Sequence, residues 1–126
     1  MSTLTLGGAG LGQLWGSTSR AEAVATLREA VDAGINLIDV APRYGDGEAE
    51  RAVGEAFGGR LPEGVRVSTK CRVSNPPASE VFERLERSLE ESLERLKLSF
   101  VDLFFLHGYI VASDEEGGER RTPRGL

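Results

Sequence analysis

A chain of 126 residues with 40% apolar and 28% charged content has the length and balance of one soluble globular domain with a core of its own. Its net charge of −5, with no basic stripe, argues against a nucleic-acid partner. A single cysteine, Cys71, excludes a secreted domain stapled by internal disulfides.

No Lys or Arg precedes Arg20, and glycines at 7, 8, 10, 12 and 16 interrupt the apolar stretch there. A signal peptide has the opposite layout, a basic start and an unbroken apolar run. No segment approaches membrane-spanning length, so no membrane partner is expected and the cytoplasm is the expected location. Thr3–Ala9 predicts the first strand. Ser19 and Glu22 have capping-box spacing, and Val24, Leu27 and Val31 follow at helical intervals, which predicts a helix over Arg20–Ala33. Ile35–Ala41 reads as the second strand. Glu48–Phe57 reads as a short helix with Ala49, Ala52, Val53 and Ala56 inward, stopped by Gly58 and Gly59.

Val65–Lys70 is the third strand expected. Ser79–Leu96 predicts a long helix with Phe82, Leu85, Leu89, Leu93 and Leu96 along one face. Its Glu80/Arg84, Glu83/Arg87 and Glu91/Arg95 pairs have the i,i+4 spacing of a solvated face with weak ion pairs. Phe100–Leu106 is the fourth strand. Residues 108–126 read as a polar loop, in which Thr122 and Pro123 announce a helix by N-cap and first-turn proline. The chain is therefore expected to be the front half of something longer, with four strands and three helices in residues 1–107 and a loop leading into a missing helix after them.

Strands recurring roughly every 30 to 35 residues with helices between them are βαβ units, and hence a parallel sheet. Either an open doubly wound sheet or part of a (β/α)8 barrel fits. "GGAGLGQLWG" lacks the helix start and the partner acid of a dinucleotide fingerprint, which disfavours the first.

In such folds chemistry sits at the carboxyl ends of the strands. Asp39, Lys70 and His107 fall at three of these ends, and Tyr44 lies in the loop after Asp39. Taken singly, Asp39 reads as a turn-former, Tyr44 as packing, Lys70 as a solvated terminus and His107 as structural. Their convergence on one rim favours a site. A sheltered Lys70 needs an anion, which Asp39 can supply. A cation beside the Tyr44 hydroxyl would favour phenolate and ease proton transfer. His107 could orient a carbonyl oxygen. Such a group protonates a carbonyl while hydride arrives from a cofactor. Cys71, on the other face of its strand by alternation, reads as buried packing.

The segments "DVAPRYG", "GEAERAVGEAF", "STK" and "LERSLEESLERLKLSFVDLFFLH", in this order, resemble the aldo-keto reductase superfamily over residues 4 to 107. The resemblance implies an α/β fold, here the first four strands of a truncated TIM (β/α)8 barrel. It also implies reversible reduction of an aldehyde or ketone by NADPH or NADH. Tyr44 matches the general acid, Lys70 and Asp39 the residues that tune it, and His107 the residue that orients the carbonyl. No metal is implied. Val40 replaces the usual threonine of "DTA", and Ala49-Glu50 stands for the usual "SE"; both bear on subgroup rather than chemistry. "GGAGLGQLWG" resembles bacterial sugar-dehydrogenase-like members, pointing to a sugar or small carbonyl substrate. Most of the family's cofactor contacts come from later strands, so this chain is expected to bind NADPH weakly or not at all. Two outcomes follow: a reductase whose fragment keeps the catalytic residues, or a catalytically inert half-barrel or assembly piece. In either case the fragment is expected to self-associate through unpaired strand edges.

Overall fold

The computed structural model describes residues 4–112 and, for 121–123, the backbone. Four strands form one sheet in the order β1-β2-β3-β4: β1 (Leu6–Gly7), β2 (Leu37–Asp39), β3 (Arg66–Cys71) and β4 (Leu103–Leu106). Every neighbouring pair is parallel, with Leu6 opposite Ile38, Ile38 opposite Val67 and Thr69 opposite Phe104. Parallel neighbours require a crossover, and α1 (Arg20–Asp32), α2 (Glu48–Phe57) and α3 (Val81–Leu96) supply the three. The expected order of parallel βα units is the one the chain adopts.

Strand alternation sorts the two faces of this sheet. Ile38, Val40 and Val67 are buried among Val24 and Leu27 of α1, Val53 of α2 and Leu96 of α3. The intervening Asp39, Ser68 and Lys70 therefore belong to the opposite face. One face makes the core, and the other is left for polar groups. Cys71 is buried, as its strand position predicts.

The helix ends follow local chemistry. Ser19 accepts from the Glu22 amide at 3.2 Å, while Glu22 accepts from the Ser19 amide at 2.8 Å, the reciprocal box read from the sequence. The Ser19 amide, and then its hydroxyl, hold the Glu22 carboxyl below the usual carboxylate range. Helix α2 begins after Gly47 and ends at Gly58, both left-handed, with Ala49, Ala52, Val53 and Ala56 buried as predicted. A bidentate pair between Arg20 and Glu48 ties α1 to the start of α2. Hydrogen bonding within it lowers the Glu48 pKa and raises that of Arg20. Gly54 lets α3 cross closely, because a Cβ there would stand 2.5 Å from the Arg95 carbonyl oxygen.

Several expectations need correction. Strand β1 shortens to Leu6–Gly7 because the chain turns after Gly8, whose amide bonds the Asp39 carbonyl. Strand β4 starts at Leu103 because the Asp102 carboxylate takes the Val67 amide at 2.9 Å, a side chain standing in for the ladder. The long helix is preceded by a 3-10 turn, Ala78–Glu80, and Phe82 is 73% exposed instead of joining the buried face. Helix α2 meets α3 at the carboxyl end of α3, where Gly54 lies against Arg95 and Leu96, about four turns away from Phe82.

Arg84 and Arg87 do pair with Glu80 and Glu83 on an exposed face. Arg95 differs: it reaches inward to the fully buried Glu50 at 2.6 Å and stands 3.8 Å from Glu91.

The stretch expected to be a loop ahead of a helix contains two short parallel strands, β5 (Tyr109–Val111) and β6 (Arg121–Pro123), with Ile110 opposite Thr122. Thr122 and Pro123 thus belong to a strand. A residue before proline is pushed towards extended geometry, and a short edge strand tolerates the missing donor.

Candidate active site

Asp39 and Ser68 face each other in the β2–β3 register, and Lys70 lies two residues further along the same face of β3. The Lys70 ammonium donates to Asp39 Oδ2 at 2.8 Å and to the Val40 carbonyl at 2.8 Å. Ser68 Oγ donates to the other carboxylate oxygen at 2.5 Å. The Lys70 side chain is 13% exposed and that of Asp39 29%, so the pair is partly withdrawn from water, where bonding on both sides offsets the cost of desolvation. The sequence argument that Lys70 requires an anion is met by a direct ion pair.

Tyr44 is set by a tight turn. Its amide donates to the Ala41 carbonyl at 3.0 Å, and its carbonyl accepts from the Ala49 amide at 3.1 Å as α2 begins. The loop after β1 lies directly against it. A Cβ on Gly12 would stand 2.3 Å from the Tyr44 carbonyl carbon, and one on Gly45, where φ is +66°, would stand 2.4 Å from the Gly12 oxygen. Only glycine fits at either place. The ammonium of Lys70 sits 4.8 Å from the centroid of the Tyr44 ring, within cation–π range.

His107 follows β4, and its amide donates to the Cys71 carbonyl at 2.7 Å, fixing it beside the end of β3. Its ring meets Tyr44 edge to face, with centroids 5.7 Å apart and planes at 87°. The four residues singled out in the sequence therefore converge at the same end of the sheet. Tyr44, Lys70 and His107 line an open cavity of about 600 Å³, whereas Asp39 lies behind Lys70 and is not among the lining residues. Its apolar wall includes Leu14 and Leu106.

Three participants were not anticipated: Ser68, and the cavity-lining Arg43 and Arg72. The signal for two of them was present. Ser68, Lys70 and Arg72 are spaced by two, which on a strand places them on one face. Arg43 was hidden because a loop has no periodicity to read.

Residues 3–117 match the sequence model of the aldo/keto reductase family. The chain belongs to that family.

Among curated aldo/keto reductase relatives it is similar to L-galactose dehydrogenase of Arabidopsis thaliana, 36% identical over 109 residues that cover 85% of this chain and 34% of the relative. It is also similar to a methylglyoxal reductase of Escherichia coli (strain K12), 37% identical over 91 residues, covering 72% and 30% respectively. Among solved structures, an aldo-keto reductase from Klebsiella pneumoniae in complex with NADPH superposes with a TM-score of 0.67 at 31% identity, covering 82% of this chain and 34% of that one. The chain thus spans about a third of the length of the aldo/keto reductases it matches. Its four parallel strands, with the three helices between them, are the first four of their (β/α)8 barrel. Among the described residues, no helix is long and apolar enough to cross a membrane.

Proposed function

We propose that this chain carries the proton-transfer machinery of an NAD(P)H-dependent carbonyl reductase acting on aldehydes, ketones or sugars. The observation that supports it best is the bonding of Lys70, held by Asp39 and the Val40 carbonyl while it lies against the ring of Tyr44. Tyr44 gives its hydroxyl proton to the carbonyl oxygen in reduction and takes it back in oxidation. Lys70 supports the phenolate that remains, Asp39 and Ser68 fix Lys70, and His107 orients the carbonyl. The nicotinamide cofactor, when bound, supplies the hydride. We assign the protein to the cytoplasm, where such cofactors are available and its one thiol needs no partner.

The described residues offer a cavity for the reactive end of that cofactor, but no helix N-terminus among them suits its diphosphate. A cavity of about 600 Å³ is of the size that takes a small ligand. A diphosphate favours a helix N-terminus free of competing acids. Here α1 starts with Glu22 in a capping box, α2 with Glu48 and Glu50, and α3 with Glu83. This supports a second reading, in which the 126-residue chain alone is inert because it does not hold the dinucleotide.

Absorbance of NADPH tests both readings. With the chain alone and a panel of aldehydes we expect no turnover, since affinity reduced from micromolar to millimolar costs roughly 4 kcal/mol. With residues 1–126 joined to the later βα units of a relative we expect reduction. Turnover by the chain alone sinks the inert reading; a folded, joined protein that reduces nothing sinks the reductase reading.

Strand β4 pairs only with β3 among the described residues, and it exposes Leu103, Phe105 and Leu106. Such an edge is a template for further pairing. We expect the purified chain to sediment as species larger than the 13.6 kDa monomer. A single monomeric boundary at micromolar concentration would rule this out.

A further inference from the structure

Among the described residues, Glu50 is the one charged side chain that is fully buried, and proton transfer at Tyr44 makes no use of it. Its Oε1 accepts from Thr69 Oγ1 at 2.6 Å, and its Oε2 accepts from Arg95 Nε at 2.6 Å. Arg95 Nη2 also donates to the buried Ser92 Oγ at 3.3 Å. Burying an acid with its base is costly, and packed apolar residues in their place are often as stable or more so. Stability alone is therefore a poor account of a charged cluster in this core.

Its placement is the better account. The Ala49 amide donates to the Tyr44 carbonyl at 3.1 Å, and the next residue, Glu50, accepts from Thr69. The residue after Thr69 is Lys70, whose ammonium lies 4.8 Å from the Tyr44 ring centroid. A closed circuit of contacts thus runs from Tyr44 through α2 and β3 back to Tyr44. Arg95 supports the same turn from α3. Gly47 closes the turn with its amide on the Pro42 carbonyl at 2.7 Å, and a Cβ on it would stand 2.5 Å from Arg95 Cδ.

We propose that Glu50, Thr69 and Arg95 are positioning residues: together they lock the turn carrying Tyr44 onto β3 and so hold the Tyr44 ring in place against the Lys70 ammonium. None of the three lines the cavity, so each acts through Tyr44 and Lys70. Apolar contact is non-directional and leaves α2 able to slide on β3, whereas charge-assisted hydrogen bonds at both oxygens fix distance and angle. A misplacement of about 1 Å at a reacting group can cost about 10² in rate. The consequence for catalysis rests on the reductase reading above; the consequence for the placing of Tyr44 does not.

Nuclear magnetic resonance of the full chain with isotope-labelled tyrosine tests the placing of Tyr44. The chain has two tyrosines, Tyr44 and Tyr109, and Tyr109→Phe assigns their ring signals. Thr69→Val keeps the shape of the side chain, removes the hydroxyl and leaves Glu50 paired with Arg95. We expect it to shift or broaden the Tyr44 ring signals, and Thr69→Ser, which keeps a hydroxyl, to leave them at the parent position. Should Thr69→Val disturb the fold, Glu50→Met combined with Arg95→Met removes both charges together, an exchange that buried pairs often tolerate, and it should displace the same signals. Arg87→Gln, on the exposed face of α3, should move nothing. Tyr44 signals that stay at the parent position in Thr69→Val and in the double variant, or that move as far in Arg87→Gln, overturn the proposal.

A second readout separates this proposal from the reductase reading. In residues 1–126 joined to the later βα units of a relative, Thr69→Val should lower kcat on the order of tenfold or more while KM changes by less than about threefold, the split expected when transition-state geometry is lost. Thr69→Ser should keep kcat near the parent value. If the joined protein reduces nothing while the Tyr44 signals still follow the Thr69 hydroxyl, the reductase reading fails and the positioning cluster stands. If it reduces carbonyls with kcat unchanged in Thr69→Val and the Tyr44 signals stay in place, the positioning role fails and the reductase reading stands.

Discussion

Replacing Tyr44 by phenylalanine should lower carbonyl reduction by a factor on the order of 10² to 10⁴, the range general acid–base catalysis contributes. The measurement belongs in residues 1–126 joined to the later βα units of a relative, with NADPH absorbance as the readout. Phenylalanine keeps the ring, and with it the edge-to-face contact to His107 at 5.7 Å and the Lys70 ammonium at 4.8 Å. It removes only the hydroxyl, so the loss reports on the proton. Cofactor affinity should stay within a few-fold of the parent, because on the proposed reading the Tyr44 hydroxyl serves the proton and the later βα units hold most of the dinucleotide. A variant that keeps activity within a factor of a few would assign the proton to another group, and His107 would then be the first to test.

The second large effect concerns stability. Glu50 is fully buried, and its carboxylate is held by Thr69 Oγ1 at 2.6 Å and by Arg95 Nε at 2.6 Å. Arg95→Leu would leave that charge inside with, among the described residues, the Thr69 hydroxyl as its remaining side-chain partner. Breaking one side of a buried pair costs about 3 to 5 kcal/mol, a large share of the roughly 5 to 15 kcal/mol that holds a domain together. We expect the urea midpoint at fixed protein concentration to drop accordingly. Adding Glu50→Gln should recover much of the loss, because a neutral amide is far cheaper to bury than an unpaired carboxylate. A loss below about 1 kcal/mol in Arg95→Leu would mean that water or another group already serves Glu50. The site should also register the change, since Thr69 adjoins Lys70 on β3 and Glu50 lies in the helix that follows the Tyr44 turn.

The same arginine marks the limit of reading along the chain. Glu91 and Arg95 have helical i,i+4 spacing and were expected to form a surface pair, yet the shorter bond runs to Glu50, 45 residues away. Nothing local distinguishes Arg95 from Arg84 or Arg87, which do stay on the exposed face. The choice is made where α3 crosses α2 at Gly54, close enough for one guanidinium to reach a buried acid. Phe82 fails for a related reason: its place in the helical period is apolar, but what covers it depends on where the neighbouring helix crosses, and α2 crosses at the other end of α3. Asp102 competes with the backbone for the Val67 amide, so the start of β4 was decided by a contact across 35 residues.

What the sequence determined by itself is whatever short-range chemistry controls. Ser19 and Glu22 set the start of α1, and Gly47 and Gly58 bound α2. The alternation of strands and helices dictated a parallel sheet whose carboxyl ends gather Asp39, Tyr44, Lys70 and His107. Only the tertiary structure decided how those four are held. Ser68 completes the Asp39 carboxylate, Gly12 and Gly45 bring two loops into backbone contact under Tyr44, and Arg43 and Arg72 line the cavity. Caps and periodicity act within a few residues of chain, whereas hydrogen bonds, close approaches and cavity linings depend on distances through space that sequence spacing does not encode.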